Sequence, residues 1–418
     1  MTAVRPLVRE RGKTGWYCLL AFAAMAGALL LSSGMAHAMG PPAAVDRAAL
    51  AALTARAKET GSDSVLVYRD GELLLDYHSA KAAEPIYLMS ATKSVVSLAV
   101  GVAIAEGKIK SLDEPLYDYF PELNQGRKKL LTIRQLLSMT TGIQHTGLGA
   151  EVYDAPDSVK QALAAELRTT PGAAFSYNNK SINLLAGVIR IATGEPLDTY
   201  AEEKLFDPMG FGMWRWEHDK TGTPNAFADL ALLPQDFAKL GQLVIQRGRW
   251  QGKQLVPETW IDQIGRQSQP YEPTYGLLWW RLSDHVTGAV TSRHLDDLLA
   301  GGVDPKLIAQ LRPLVGIVVH SQPEWHRLLA TAIPDWESRA YLPGLIGPYA
   351  NDLPTWRYES FDGLAAEGAL GQYLVVFPKL GLVAVRQIEP FDGFSFMQNR
   401  FENFPDMVRR LVPDKARR

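Results

Sequence analysis

Apolar positions at the start of the chain's main body recur at helical spacing. AVDRAALAALTARAKETG (44–61) repeats them three to four residues apart and ends on Gly61, which predicts an amphipathic helix with a glycine stop. The pattern then changes. DSVLVYRDGELLLDYHSA (63–80) alternates or runs apolar on both sides of Asp70-Gly71, a two-residue turn signal that predicts a hairpin. From Ser90 to Glu106 a long apolar helical pattern follows. Next come turn-rich GKIKSLDEPLYDYFPEL (107–123) and helical TIRQLLSMTTGI, which Gly142 can end.

Two further stretches, 181–211 and 234–264, keep the helical period with Gly or Pro at their breaks, so 85–265 reads as mostly helical. Strand character returns in TYGLLWWRL (274–282) and in GQYLVVFPKLGLVAVRQIE (371–389), where Pro378 to Gly381 can turn one strand into the next. A closing helix is expected in NRFENFPDMVRRLV (399–412). The predicted fold class is α+β: a sheet built from both ends of the chain, flanked by helices, with a mostly helical lobe inserted and the active site between the two. The expected organisation is 39–84 with 266–418 as an α/β lobe, 85–265 as the helical lobe, and 283–362 as an extra insertion.

The first 38 residues follow another rule. Arg5, Arg9, Arg11 and Lys13 precede an apolar run over 15–35 that leads to Ala36-His37-Ala38, the pattern of an export signal cleaved after Ala38. A retained membrane anchor is the alternative, because the run approaches the ~20 residues that span a bilayer. Either reading places the protein outside the cytoplasm, periplasmic or secreted. The one cysteine, Cys18, lies within this segment, so disulfides, thiol nucleophiles and zinc–cysteine sites are excluded from the remainder. The formal charge of −2 drops further without the basic leader and gives no electrostatic reason to expect nucleic acid.

Three segments carry candidate chemistry. Ser90-Ala91-Thr92-Lys93 opens the apolar helix, and positions i and i+3 share a helix face, so Lys93 can act as base for the Ser90 hydroxyl. Free N–H groups at a helix start would also favour an oxyanion there. A polar helix start is the plainer reading of the tetrad. In PGAAFSYNNKSINLLAGVI (171–189), Tyr177 could relay a proton and Asn179 could hydrogen-bond substrate and Lys93. Alternatively Asn178, Asn179 or Ser181 only starts the helix. In AAEGALGQYLVVF (365–377), glycines before a strand permit close approach of a substrate to the backbone. Trp279 and Trp280 should face opposite ways, with core packing the expected use.

These motifs, in this order and with MSATKSVVSLAVGVAIAEGKIKSLDEPLYDYFPEL and LLTIRQLLSMTTGI between the first two, resemble the serine β-lactamase and penicillin-binding-protein superfamily. The nearest resemblance is to its class C-like branch of esterases, D-amino-acid peptidases and 6-aminohexanoate-oligomer hydrolases, over about 45–281 and 363–415. The resemblance implies Ser90 as acylated nucleophile, Lys93 as its hydrogen-bonded base partner, Tyr177 as general base and acid, and Asn179 as an orienting side chain. It implies an oxyanion hole of the Ser90 and Ala369 N–H groups, with Gly368 at the strand.

Ala366-Glu367-Gly368 stands where the family usually has Lys-Thr-Gly or His-x-Gly. The missing cation, and the acidic Glu367, weigh against substrates with a carboxylate there. The expected function is therefore an exported serine hydrolase of small esters, amides or peptides. A true β-lactamase or D-Ala-D-Ala carboxypeptidase is the alternative, and a catalytically silent cell-wall peptide or protein binding module on the same fold is the reading of another class. No cofactor is expected, and the eight histidines show no metal-ligand spacing.

Overall fold

A computed structural model describes residues 45–79, 84–146, 150–334 and 353–413. The export-signal segment therefore lies outside the described residues, as does 335–352 of the expected insertion.

The first helix, α1 (Arg47–Glu59), begins where the Asp46 carboxylate accepts from the amides of Ala48 and Ala49. The hairpin forms as expected: β1 (Ser64–Arg69) and β2 (Glu72–His78) meet at Asp70 and Gly71, both in the left-handed region at φ 50° and 86°. The apolar helix is α2 (Thr92–Ala105), buried from Thr92 to Ala103 on every side, as a helix without a polar face must be. A second sheet-packing helix, α3, runs over Pro234–Ile245.

The remaining strands of the main sheet are β3 (Trp280–Ser283), β4 (Phe361–Gly368), β5 (Gln372–Phe377) and β6 (Leu382–Gln387). Their order is β2-β1-β6-β5-β4-β3, all antiparallel, so the last strand lies beside the first. Strand alternation divides the interior between two faces. Leu364, Ala366, Leu374, Val383 and Val385 join α2 and the helical region in one core. Ala365, Tyr373, Val375 and Ala384 join α1 and the last helix, α4 (Phe404–Arg409), in another.

Two expected elements came out shorter. Strand in the 274–282 stretch starts only at Trp280 and runs on to Ser283, because the chain turns back at Leu278 (φ 60°) and Tyr275 bridges Trp280. The closing helix is confined to α4, because Phe401 takes φ 59° and Pro405 has no N–H to continue a helix behind it. The insertion between β3 and β4 has a small sheet of its own, with Val286–Ala289 between Val318–Val319 and Thr355–Tyr358. Leu295, Leu307, Leu311, Trp325 and Leu329 pack into its separate core.

Candidate active site

Ser90 sits one step before α2, on a single 3-10 turn over Met89–Ala91. The approach is strained: Met89 adopts φ 50°, a conformation that side chains with a Cβ rarely take. The amide of Leu88 donates to Leu230 O at 2.8 Å, and the amide of Ala91 donates to Leu88 O at 3.1 Å. These bonds fix the turn on both sides. A Cβ on Gly368 would stand 2.1 Å from Leu88 O, so only glycine lets the end of β4 close on this turn. Beyond Gly368 the chain bends through Leu370 (φ 68°) and Gly371 (φ 88°). Buried Arg386 pins the bend by donating to Leu370 O at 2.9 Å and Gly371 O at 2.7 Å. Ala369 is thereby held beside the Ser90 turn.

Lys93, 2% exposed, is the one cation within buried α2. Its Nζ donates to Ser90 Oγ at 2.9 Å and to Phe227 O at 2.6 Å, and it lies 4.9 Å from the centre of the Tyr177 ring. Burial pulls its pKa down to about 7, against the upward pull of the Asp229 carboxylate. The other polar groups of this helix face are satisfied by backbone: Ser94 Oγ donates to Leu278 O and Ser97 Oγ to Leu277 O, each at 2.7 Å.

The Tyr177 hydroxyl lies close enough to Ser90 for that side chain to bear on its pKa. Burial pushes its pKa up to about 12, the nearby Ser90 hydroxyl pulls against that rise, and Glu367 adds to it. Its ring stacks on Trp280 at 6.1 Å and meets Tyr275 edge-on at 6.4 Å. Trp279 is 1% exposed in the core. Trp280 packs against both cores, as expected, and also stacks on Tyr177.

Asn178 is the cap of the Asn179–Ile182 helix: its Oδ1 accepts from Ser181 N at 3.1 Å and its Nδ2 donates to Ile143 O at 2.8 Å. Asn179 opens that helix with a buried Oδ1 that takes no hydrogen bond. The expected link from Lys93 to this oxygen is absent, because the ammonium donates to the Phe227 carbonyl instead. A backbone carbonyl carries no sequence signal, and Phe227 was not anticipated. Neither was the neighbouring Asp229, whose carboxylate accepts from Tyr153 Oη at 3.0 Å and Asn225 Nδ2 at 2.8 Å.

At the third motif the structure separates two adjacent residues. Ala366 pairs with Leu374 on the face of α2, so this position of the third motif presents a methyl group to the α2 side of the sheet. Glu367 pairs with Tyr373 on the opposite face. Burial raises the Glu367 pKa, and the charge of Arg400 opposes that rise. The carboxylate is thus partly balanced from its own side of the sheet, so repulsion of a bound carboxylate counts for less than loss of the cation. The insertion joins the remainder at β3 and β4 and again where His326 Nδ1 meets Glu402 Oε1 at 2.9 Å.

The β-lactamase family model matches residues 47–228. The 6-aminohexanoate-dimer hydrolase of Paenarthrobacter ureafaciens is 26% identical over 54% of this chain and 66% of its own length. Esterase EstB of Burkholderia gladioli is 27% identical over 35% of this chain and 42% of its own length. The chain thus matches less than two thirds of the length of each of these relatives. A penicillin-binding-protein homologue from Caulobacter crescentus superposes with TM-score 0.56 at 13% identity, over 88% of this chain and 99% of that one, a likeness of fold.

Proposed function

Because this chain belongs to the serine β-lactamase and penicillin-binding-protein superfamily, we propose that it is a serine hydrolase that cleaves an ester or amide through a covalent acyl-enzyme on Ser90. The observation that carries this reading is the 2.9 Å bond between Ser90 Oγ and a buried lysine brought down to about 7. A lysine in that range is half neutral near physiological pH, and a neutral amine accepts a proton.

Lys93 takes the hydroxyl proton as Ser90 Oγ bonds to the substrate carbonyl carbon. The Ser90 and Ala369 amides stabilise the resulting oxyanion. Tyr177, with its pKa near 12, works as a neutral hydroxyl between Ser90 and the departing oxygen or nitrogen. It passes its own proton to the leaving group and is reprotonated by the Lys93 ammonium, so the proton taken from Ser90 ends on the leaving group and Lys93 returns to the neutral amine. Water then attacks the acyl carbon, gives its proton back along the same route, and releases the acid and free Ser90. This assigns the base to Lys93 and the relay to Tyr177, whereas the family resemblance alone gives Tyr177 both acid and base duties.

The methyl group of Ala366 favours substrates with no carboxylate at that end, so esters and amides are preferred to penicillins and to D-Ala-D-Ala peptides. The relatives' names, a dimer hydrolase of 6-aminohexanoate and an esterase, accord with this class. The basic and apolar leader further supports an exported enzyme, which N-terminal sequencing of protein from the producing cell would test by a start at Met39.

The decisive experiment is covalent labelling. A fluorophosphonate should add one equivalent to the wild-type protein and none to Ser90→Ala. Labelling that persists in Ser90→Ala, or no labelling and no hydrolysis of p-nitrophenyl acetate by the wild type, refutes the reading.

A further inference from the structure

Asp229 occupies a costly position. It is buried, 9% exposed, and its backbone stands at φ 70°, where glycine is the unstrained choice. Burial pushes its carboxyl pKa up, and hydrogen bonds from Asn225 and Tyr153, together with the charge of Lys93, hold it down. A carboxylate kept under both backbone strain and desolvation calls for a compensating role.

The surrounding turn indicates the role. Residues 225–230 lie against the first turn of α2 at two points: Phe227 O accepts from Lys93 Nζ at 2.6 Å, and Leu230 N donates to Thr92 Oγ1 at 3.2 Å. The turn is braced from behind, where Trp216 Nε1 donates to Asn225 O at 2.9 Å and Ala228 O at 3.2 Å. Tyr153 spans it, with its hydroxyl on Asp229 and its ring edge-on to Phe227 at 5.0 Å.

Among the described residues, the groups that face Lys93 are Ser90, Tyr177, Phe227 and Asp229. Glu367 acts one step away through Tyr177, and Glu217 acts through Asp229. Asp229 is the carboxylate whose field reaches Lys93 directly.

We propose that Asp229 is a positioning residue of the catalytic base: its carboxylate closes the 225–230 turn so that the Phe227 carbonyl meets Lys93, and its charge balances the buried ammonium. This rests on the reading of Lys93 as the base. Without the carboxylate the ammonium has only dipoles for company, so Lys93 should lose its proton at lower pH.

The test titrates Lys93 in the full chain by NMR of 13C-labelled lysine side chains, alongside the pH dependence of fluorophosphonate labelling. Two variants are compared: Asp229→Asn, which keeps the side-chain shape, and Asp229→Gly, which keeps the left-handed backbone without strain. The expected result is a Lys93 midpoint lower by about 1 on the pH scale in both, with the acid limb of the labelling rate moving with it. A midpoint that stays where the wild type has it in either folded variant overturns the proposal. A wild-type protein that takes no label would refute the serine-hydrolase reading instead, while the NMR midpoint still decides the role of Asp229.

Discussion

The Ser90 cluster and the inserted segment after β3 are built on opposite principles. The insertion buries leucines, valines and Trp325 in a small core of its own, and each such burial stabilises it. The Ser90 cluster buries an amine, spends a left-handed φ at both Met89 and Asp229, and leaves the Asn179 oxygen unpaired. Stability given up in this way is what the proposed catalytic use of the cluster would require. The contrast separates the two by what a substitution should do: changes in the cluster should trade activity against stability, and changes in the insertion should cost stability alone.

Lys93→Met breaks the cluster most sharply. Ester hydrolysis should fall on the order of 10³-fold, because the base is gone. The protein should nevertheless become more stable at pH 6, by roughly 1–4 kcal/mol, because a buried charge is replaced by a side chain of similar volume. The folded-state pKa of about 7 lies below the ordinary lysine value, so the unfolded chain binds the extra proton. The penalty is therefore full below pH 7 and fades as pH rises toward ~10.4. Denaturant melts at pH 6 and pH 10 would show it. A Met variant less stable than wild type at pH 6 would place the lysine among the stabilising elements.

Trp325→Ala is the matching change in the insertion. Loss of this 2%-exposed ring should cost about 3–5 kcal/mol of local stability, seen as faster amide exchange in 292–332. Hydrolysis of p-nitrophenyl acetate should stay within about threefold of wild type. A collapse of activity would show the insertion to be part of the catalytic unit.

The pH profile sharpens the contrast without a mutation. kcat/KM should rise through a midpoint near the Lys93 value of about 7 and fall about tenfold per pH unit below it. A profile flat from pH 5 to 8 would remove Lys93 as the base.

Ala366→Lys gives the smallest change. It restores a cation on the α2 face of β4 and should improve kcat/KM for a chromogenic cephalosporin, which carries a carboxylate, by about tenfold over a neutral ester. Equal effects on both substrates would show that this position does not choose between them.

Much of this architecture was written locally. The helix before the hairpin, the Asp70-Gly71 turn and the β5–β6 turn ending at Gly381 (φ 66°) formed where periodicity and turn residues placed them. The nearness of Ser90 and Lys93 is equally local, since it follows from three residues of helical rise. The shortened strand at 274–279 was not legible, because its path is set by carbonyls that answer Ser94 and Ser97 on another element.

The sequence by itself determined the α+β pattern, the serine–lysine pair and the loss of the third-motif cation, because each depends on residue type and short-range spacing. Tertiary structure decided what the lysine is chemically. Its pKa near 7, the Phe227 carbonyl it leans on and the Asp229 charge behind that carbonyl all arise from segments more than 100 residues apart in the chain. Desolvation and through-space charge depend on how the chain packs, and no local pattern encodes them.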